Sequence, residues 1–427
     1  MIEAHSFKGK NLAEVYGPNC IHFHSYPIYT KAEREQYRSH PLYYFYHRGY
    51  LARDAGSSRI LPVSGGKDHL VILPKTSESR LLFDYYKDVY GTRYTGDFTN
   101  VRFFEGEHGY IELLKRVQMD TVPRGDPFRI VVLHPYLPHH IDPMSLYVDS
   151  NVLAFLNKKI NLSKLSSKAP KRVAILREDF EKAFFEKPLF FPCVVKGNTG
   201  CSGSSVFMVS SIAELLKAQG TLRERGSRRI VIEEYCDHDE SLNVQFCVSD
   251  KGEIFFLHLS QQRVKKSGTY LGNLVDLKLD HRSVPKRILE TGVEVCKKAR
   301  KLGWYGLVGI DILHRRKDDR VRVVDLNFRW NGSSTLLLLR RRIRRNTGER
   351  YVMGVSLYPK IPQVRTFDDA LHDLKRELGR YLFVVGAANR SNRSARYRFL
   401  LYAGITGDST EEINERIALL GERYNIV

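Results

Sequence analysis

The sequence has no run approaching 18 consecutive apolar residues, which excludes a transmembrane helix. Its opening, MIEAHSFKGKNLAEVYG, lacks the apolar core of a secretory signal, so the chain is expected in the cytoplasm. Cysteine is scarce. The six residues (20, 193, 201, 236, 247, 296) form no C-x-x-C pair, which excludes a zinc ribbon or a disulfide framework and reads as reduced thiols. No Gly-x-Gly-x-x-Gly follows a strand-like run in the N-terminal region, so a dinucleotide site has no support there. Internal repeats and low-complexity tracts are also absent.

Positive charge is abundant. Lys+Arg 68 against Asp+Glu 48 gives +20 over 427 residues. Such a surface attracts nucleotides, acidic peptides or nucleic acid. With 42% hydrophobic and 27% charged residues the composition is that of a folded chain, and the length predicts two or three domains.

Residues 1–145 alternate strand-like runs (RILPVS 59–64, HLVILP 69–74, RIVVLHPYL 129–137) with a helix-like stretch over 77–91, which predicts a small α/β layer. A helix and a Ser/Lys-rich connection ending at Pro170 mark the first boundary. Hairpins follow: FFPCVVK and SSVFMVSS around a glycine-rich turn, then IVIEEY (230–235), then LNVQFCVS and EIFFLHLS joined by Asp250-Lys-Gly252. QQRVKKSGTYLGN (261–273) reads as a loop. Ile288, Leu289, Val293, Cys296, Ala299 and Leu302 recur at helical spacing, predicting a helix over about 284–302 with Gly303 at its C′ position. Two strands, GLVGIDIL and VRVVDLNF, come next. Leu336–Arg345 reads as a helix that leaves the core and ends basic. The tail after 345 holds a strand-like YLFVVGAA and a final helix behind a Ser409/Glu412 capping pattern.

Three constellations can carry chemistry. In the first, Lys196 precedes a turn containing Gly200, Ser202, Gly203 and Ser204. A Walker loop has its lysine after the glycines, so this is a different device: a hairpin tip whose bare N–H groups can cover a polyphosphate while Lys196 adds a point charge. The alternative is a plain glycine turn beside a surface lysine. In the second, Glu233-Glu234-Tyr235-Cys236 and Glu240 place backbone groups where a strand runs into a loop, able to read an adenine edge, with a carboxylate beyond for ribose hydroxyls. Solvated glutamates are the alternative. In the third, Asp311 stands inside an apolar strand, and Asp325 and Asn327 stand two apart on one strand face. Carboxylates in strand cores are costly unless paired or metal-bound. Three oxygen ligands on one face suit Mg²⁺, and an ion pair with an arginine is the other reading. Arg329 shares that face and can meet developing negative charge. Arg263, in the basic 263–272 loop, is a second candidate for that role or an exposed surface cation. His22/His24 and His139/His140 lack a third ligand and read as structural or surface residues.

Together and in this order these pieces resemble the ATP-grasp superfamily over roughly residues 150–340. The resemblance rests on Lys158 in LNKK, Lys196 with its glycine turn, the Glu233/Glu240 pair and Asp311…Asp325-x-Asn327-x-Arg329. Asp-Leu-Asn-Phe-Arg-Trp-Asn-Gly-Ser-Ser looks closer to the peptide-ligase branch with a pre-ATP-grasp N-terminal domain than to inositol phosphate kinases, which also carry Asp-x-Asn. Most ATP-grasp ligases have Glu in place of Asp325, whose shorter arm counts against one carboxylate bridging two metals.

The resemblance implies an ATP-grasp fold, α/β and α+β, with two α+β lobes around the nucleotide. Residues 1–145 would be a pre-ATP-grasp domain, 146–345 the catalytic lobes and 346–427 a C-terminal α/β extension packing on them. Lys158 and Lys196 would contact phosphates. Glu233 and the backbone of Glu234, Tyr235 and Cys236 would hold adenine, and Glu240 the ribose. Asp311, Asp325 and Asn327 would hold magnesium, two ions in this class. The implied activity is ATP-dependent amide formation between a carboxylate and an amine, both small molecules or peptides and acidic in character, through an acyl phosphate, with a homodimer as the expected assembly. A kinase of a highly phosphorylated small molecule and a non-catalytic nucleic-acid binder are the competing readings, both drawing on the net charge.

Overall fold

The computed structural model describes residues 5–25, 28–37, 50–66, 69–74, 79–96, 98–104, 110–121, 129–133, 146–176, 191–198, 205–224, 227, 229–264, 270–360, 367–389 and 399–426. Three sheets organise them. The first is built by the N-terminal runs: Cys20–Phe23, His69–Pro74, Val101–Phe104 and Arg129–Val132 pair in parallel, in the order 101–104, 69–74, 20–23, 129–132. Parallel pairing needs crossover connections, and helices Ser79–Tyr90 and Tyr110–Thr121 supply two of them. The expected strand over 59–64 is instead a turn that follows helix Tyr50–Ser58 and then a short 3₁₀ helix, Leu61–Val63. Pro62 removes a donor and fits the first turn of a helix, and its neighbours Leu61 and Val63 are buried.

The second sheet is small and antiparallel: Arg172–Leu176, Arg229–Glu234, Cys193–Gly197 and Val206–Val209, in that spatial order. Helix Ile212–Glu224 covers it with Leu215, Ala218 and Leu222. Residues 235–239 leave this lobe and enter the third sheet.

That third sheet has ten strands, with a main order of 320–327, 306–315, 240–248, 254–264, 270–276, 351–359, 399–407 and 382–389. The tail beyond residue 345 was expected as an extension packing on the lobe. Its strands Tyr351–Pro359, Leu382–Asn389 and Phe399–Gly407 instead continue the same sheet, through the pairing of 270–276 with 351–359. The basic helix expected to leave the core is Ser334–Thr347. Its leucines 336–339, Arg340 and Ile343 are buried, so it is a core helix, and its exposed arginines 341, 344 and 345 line its outer face and last turn. Arg263 and the residues before it, read as loop, lie on the strand Ile254–Val264, which pairs with Tyr270–Asp276. On its other side Gly272 permits the pairing of 270–276 with 351–359: at φ +149 it lets that strand so close that a Cβ would fall 1.9 Å from the Gly354 carbonyl oxygen. Helix Lys286–Lys301 forms as its periodicity predicts and is followed by Gly303 at φ +93. The final helix Thr410–Gly421 is capped by Ser409, whose hydroxyl accepts from the Glu412 N–H. The Glu412 carboxylate reaches back to the Asp408 N–H, one residue beyond the expected cap. No described helix is long and apolar enough to cross a membrane. All five described cysteines are buried and free.

Candidate active site

Asp311 and Asp325 come from the antiparallel pair 306–315 and 320–327, in which they stand directly opposite each other. Cross-strand partners point to one face. A register shift just after Asp311 restores the apolar alternation beyond it, so Ile312, Val321 and Val323 are buried while both acids stay half-buried. Asn327, two residues along, donates its amide to Asp311 Oδ2 at 3.3 Å. The three predicted metal residues are therefore together.

The same face continues across the sheet. Asn243 pairs with Asp311 and gives its amide to Asp311 Oδ1 at 2.6 Å, and Gln262 adds a second donor at 3.1 Å. The orientation of Asn243 is fixed from behind: its oxygen accepts from Gln245 at 2.8 Å and from the Ser333 hydroxyl at 3.3 Å, and Gln245 in turn accepts from Ser334 at 2.8 Å. This explains much of Arg329-Trp-Asn-Gly-Ser-Ser. Its serines brace the acid row, buried Trp330 meets His24 of the N-terminal domain edge-on at 6.1 Å, and Asn331 packs over Gly309, where a Cβ would come within 2.4 Å of its amide nitrogen.

Two lysines face the acids, Lys196 from the small lobe and Lys159 from a turn flanked by leucines of the large-sheet core. Lys159 pairs with Asp325 Oδ2. Lys196 Nζ donates to the Val324 carbonyl at 2.8 Å and lies 2.6 Å from Glu233 Oε2. Burial lowers the Lys196 ammonium pKa to about 7, against the pull of Asp325 and with the push of Lys159 and Arg172. Burial and the Asp325 charge push Asp311 up, whereas Lys159 and Lys196 hold Asp325 below the usual carboxylate range despite its burial.

Several predicted residues take other positions. Lys158 ends helix Ser150–Asn157, is half-buried and has its pKa lowered by burial and by Arg229. Lys159, one residue on and turned by the 3₁₀ step, is the lysine that reaches the acids. Glu233 is buried and tied to Lys196 and Arg172, because strand alternation puts it on the face opposite the Ile230/Ile232 core of the small lobe. The N–H groups of Glu234 and Tyr235 are spent on the Lys171 and Pro192 carbonyls. Cys236 is buried in the linker, and its carbonyl accepts from His238 Nδ1 at 2.9 Å. Glu240 opens strand 240–248 and is held by His314 Nδ1 at 2.9 Å and by Arg316. Arg263 is not brought to the acids. Its neighbour Gln262 faces Asp311, so Arg263 lies on the opposite side of the strand, where its charge acts on Glu411. Arg329 follows the acid strand, and its charge helps keep Asp325 ionised. Gly200, Ser202, Gly203 and Ser204 lie outside the described residues, as do His139 and His140.

Sequence reasoning missed Lys159, Arg172, Asn243 and Gln262. Asn243 and Gln262 had a usable signal, polar residues inside apolar strand runs. Arg172 and Lys159 had none that separates them from neighbouring Lys171 and Lys158.

Among the described residues no three His, Cys, Asp or Glu side chains gather as a metal cluster, because the third oxygen here is the amide of Asn327. The donor set still fits a hard divalent cation. Two adjacent half-buried carboxylates have one lysine ion-paired to them, at Asp325; the Asn327 amide on Asp311 can turn its oxygen toward a cation; and every candidate ligand atom is oxygen.

Residues 170–327, the small lobe through the acid-bearing strands, match the family described as L-aspartate–L-methionine ligase, ATP grasp. The chain carries an ATP-grasp domain. N5-carboxyaminoimidazole synthetase from Staphylococcus aureus complexed with ADP shares the fold at 12% identity, with TM-score 0.56 over 98% of this chain and 99% of that one. L-amino acid ligase from Bacillus licheniformis matches at 14% identity and TM-score 0.54, covering 96% and 98%. The biotin carboxylase domain of 2-oxoglutarate carboxylase from Hydrogenobacter thermophilus matches at 11% and 0.53, covering 96% and 91%. At these identities the likeness is one of fold, and it extends over the N-terminal parallel sheet and the C-terminal strands of the ATP-grasp chain as well as the matched segment.

Proposed function

We propose that this ATP-grasp enzyme is an ATP-dependent ligase that joins a carboxylate to an amine. The observation that carries the reading is the Asp311/Asp325/Asn327 face set opposite Lys159 and Lys196, at the meeting of two lobes of a chain whose central segment matches a ligase family. The lysines would draw the β- and γ-phosphates toward the acid row, and Glu233, by holding Lys196 and Arg172, fixes where that positive charge stands. Asp311, Asp325 and Asn327 would hold Mg²⁺, which neutralises triphosphate charge and polarises the γ-phosphoryl group. Asn243 and Gln262 aim Asp311 as outer partners of a ligand carboxylate do.

The acid's carboxylate oxygen attacks the γ-phosphorus and ADP leaves, giving an acyl phosphate. The amine nitrogen then attacks the acyl carbon, loses a proton, and expels phosphate. Arg329, beside the acid strand, would steady the oxyanion of that second step. Glu240 at the lobe junction would meet the ribose, exchanging part of its hold on Arg316 and His314. Amino acids are the first substrates to test, given the L-amino acid ligase and L-aspartate–L-methionine ligase likenesses.

The test is a screen of amino acids, singly and in pairs, for ADP release, with mass spectrometry of the product. The ligase reading expects phosphate and a dehydrated conjugate only when acid and amine are both present. A phosphorylated acceptor in place of free phosphate would overturn it in favour of a kinase.

A further inference from the structure

Gly332 lies exposed in the turn after Asn331, ringed by three hydrogen-bonding groups from two distant parts of the chain. A methyl group built on it would stand 3.6 Å from Asn273 Nδ2, 3.6 Å from the Tyr270 hydroxyl oxygen and 3.7 Å from Arg59 Nη1. An amide, a phenol and a guanidinium converging beside the exposed Gly332 form a donor set suited to a carboxylate.

Each member is held in place. Arg59 is 9% exposed, its Nε donates to the Gly56 carbonyl at 3.2 Å and its Nη1 to the Gly332 carbonyl at 3.3 Å. Its guanidinium carbon lies 4.6 Å from the centre of the Tyr402 ring. Its stem packs against Gly386, where a Cβ would fall 2.7 Å from Arg59 Cγ. The Ser260 hydroxyl donates to Asn273 Oδ1 at 3.3 Å, which turns the Asn273 NH₂ toward Tyr270. The Tyr270 oxygen accepts from it and keeps its own proton for another acceptor. Burial raises the Tyr270 pKa, so the hydroxyl remains a donor.

The donor set also faces the right way. Asn273 pairs directly with Gln262, the residue that donates to Asp311, so both ends belong to one face of the sheet. Three strand spacings separate the backbones of Asp311 and Asn273, roughly 14 Å. That span leaves room for a γ-phosphate and a small amino acid between them.

We propose that Arg59, Tyr270 and Asn273 form the subsite for a carboxylate that does not react. It belongs either to the acid substrate as its second carboxylate or to the amine substrate as its α-carboxylate. The proposal rests on the ligase reading of the acid row. Gly332 is small because the carboxylate occupies the space a side chain would take.

The test uses the full chain with MgATP and the amino-acid pair that gives the fastest ADP release. Arg59→Gln is expected to raise KM for one of the two amino acids by about tenfold to a hundredfold, with KM for ATP unchanged. The analogue of that amino acid with the spectator carboxylate as an amide should bind wild type and variant alike, and which substrate's amide behaves this way identifies the source. Gly332→Ala meets only ordinary contacts and no left-handed backbone, so it should fold normally and raise the same KM; Tyr270→Phe should do so more mildly. These two variants keep the test open if Arg59→Gln fails to fold. If wild type turns over and folded variants leave both amino-acid KM values unchanged, the subsite is wrong while the ligase reading stands. If no pair supports ADP release by wild type, the ligase reading fails and the subsite with it.

Discussion

Replacing Asp311 with asparagine should abolish turnover and yet make the metal-free protein more stable. Asp311 and Asp325 are direct cross-strand partners, which places their charges about 5 Å apart. At the effective dielectric of a half-buried site that repulsion is about 3 kcal/mol. Lys159 offsets part of it through its pairing with Asp325. Asparagine keeps an oxygen for the Asn243 and Gln262 amides but loses the charge that strengthens those bonds, a loss of about 1 kcal/mol. The net is a gain of about 1–2 kcal/mol, or roughly 1–2 °C in Tm for a chain of 427 residues. Thermal unfolding in EDTA reads it directly. With saturating MgADP the order should reverse, because wild type gains binding energy, about 2.7 kcal/mol at a hundredfold excess over Kd, that the variant forfeits. A lower Tm for Asp311→Asn in EDTA would refute the reasoning and mark Asp311 as a structural charge.

Lys196→Met should raise KM for ATP at least about tenfold while Tm moves little, since Arg172 still pairs with Glu233; steady-state kinetics beside a melting curve checks both halves. Gly309→Ala should lose about 1–3 kcal/mol and depress kcat, because the new Cβ lands on the Asn331 amide; an unchanged melting temperature would contradict it. Burial lowers the pKa of His24 and of His258 from 6.5 to about 3. Below the ordinary value the unfolded chain takes up protons that the folded chain refuses, so stability falls as pH drops from about 6.5 toward 3, by up to about 1.4 kcal/mol per pH unit for each histidine. Denaturation midpoints across that range, compared with those of His258→Gln, report the slope.

The sequence displayed the acid row because of a conflict within it: Asp311 breaks a run of apolar strand residues, and Asp325 and Asn327 share a face by simple alternation. The N-terminal α/β layer and the 286–301 helix were legible from periodicity. Side-chain direction near an element's end was not. Whether Lys158 or Lys159 reaches the acids depends on a 3₁₀ step after the helix, and whether Gln262 or Arg263 faces them depends on where the strand stops. Alternation would have decided the second question had 261–264 been read as strand, but those residues read together with the lysines and glycine that follow them in sequence. The ion pairs of Glu233 were hidden for a related reason, since Arg172 and Lys196 come from two other strands, 172–176 and 193–197. The tail's membership in the large sheet rests on the 270–276 to 351–359 pairing, which no local pattern announces.

The most direct measurement of the central claim follows oxygen. A competent acid labelled with ¹⁸O in both carboxylate oxygens is turned over with ATP and amine, and the released phosphate and the product are weighed. Activation of the acid on the phosphate beside Asp311 and Asp325 predicts one ¹⁸O in phosphate and one in the amide. Phosphate free of label, or label retained entirely in a phosphorylated product, would contradict it.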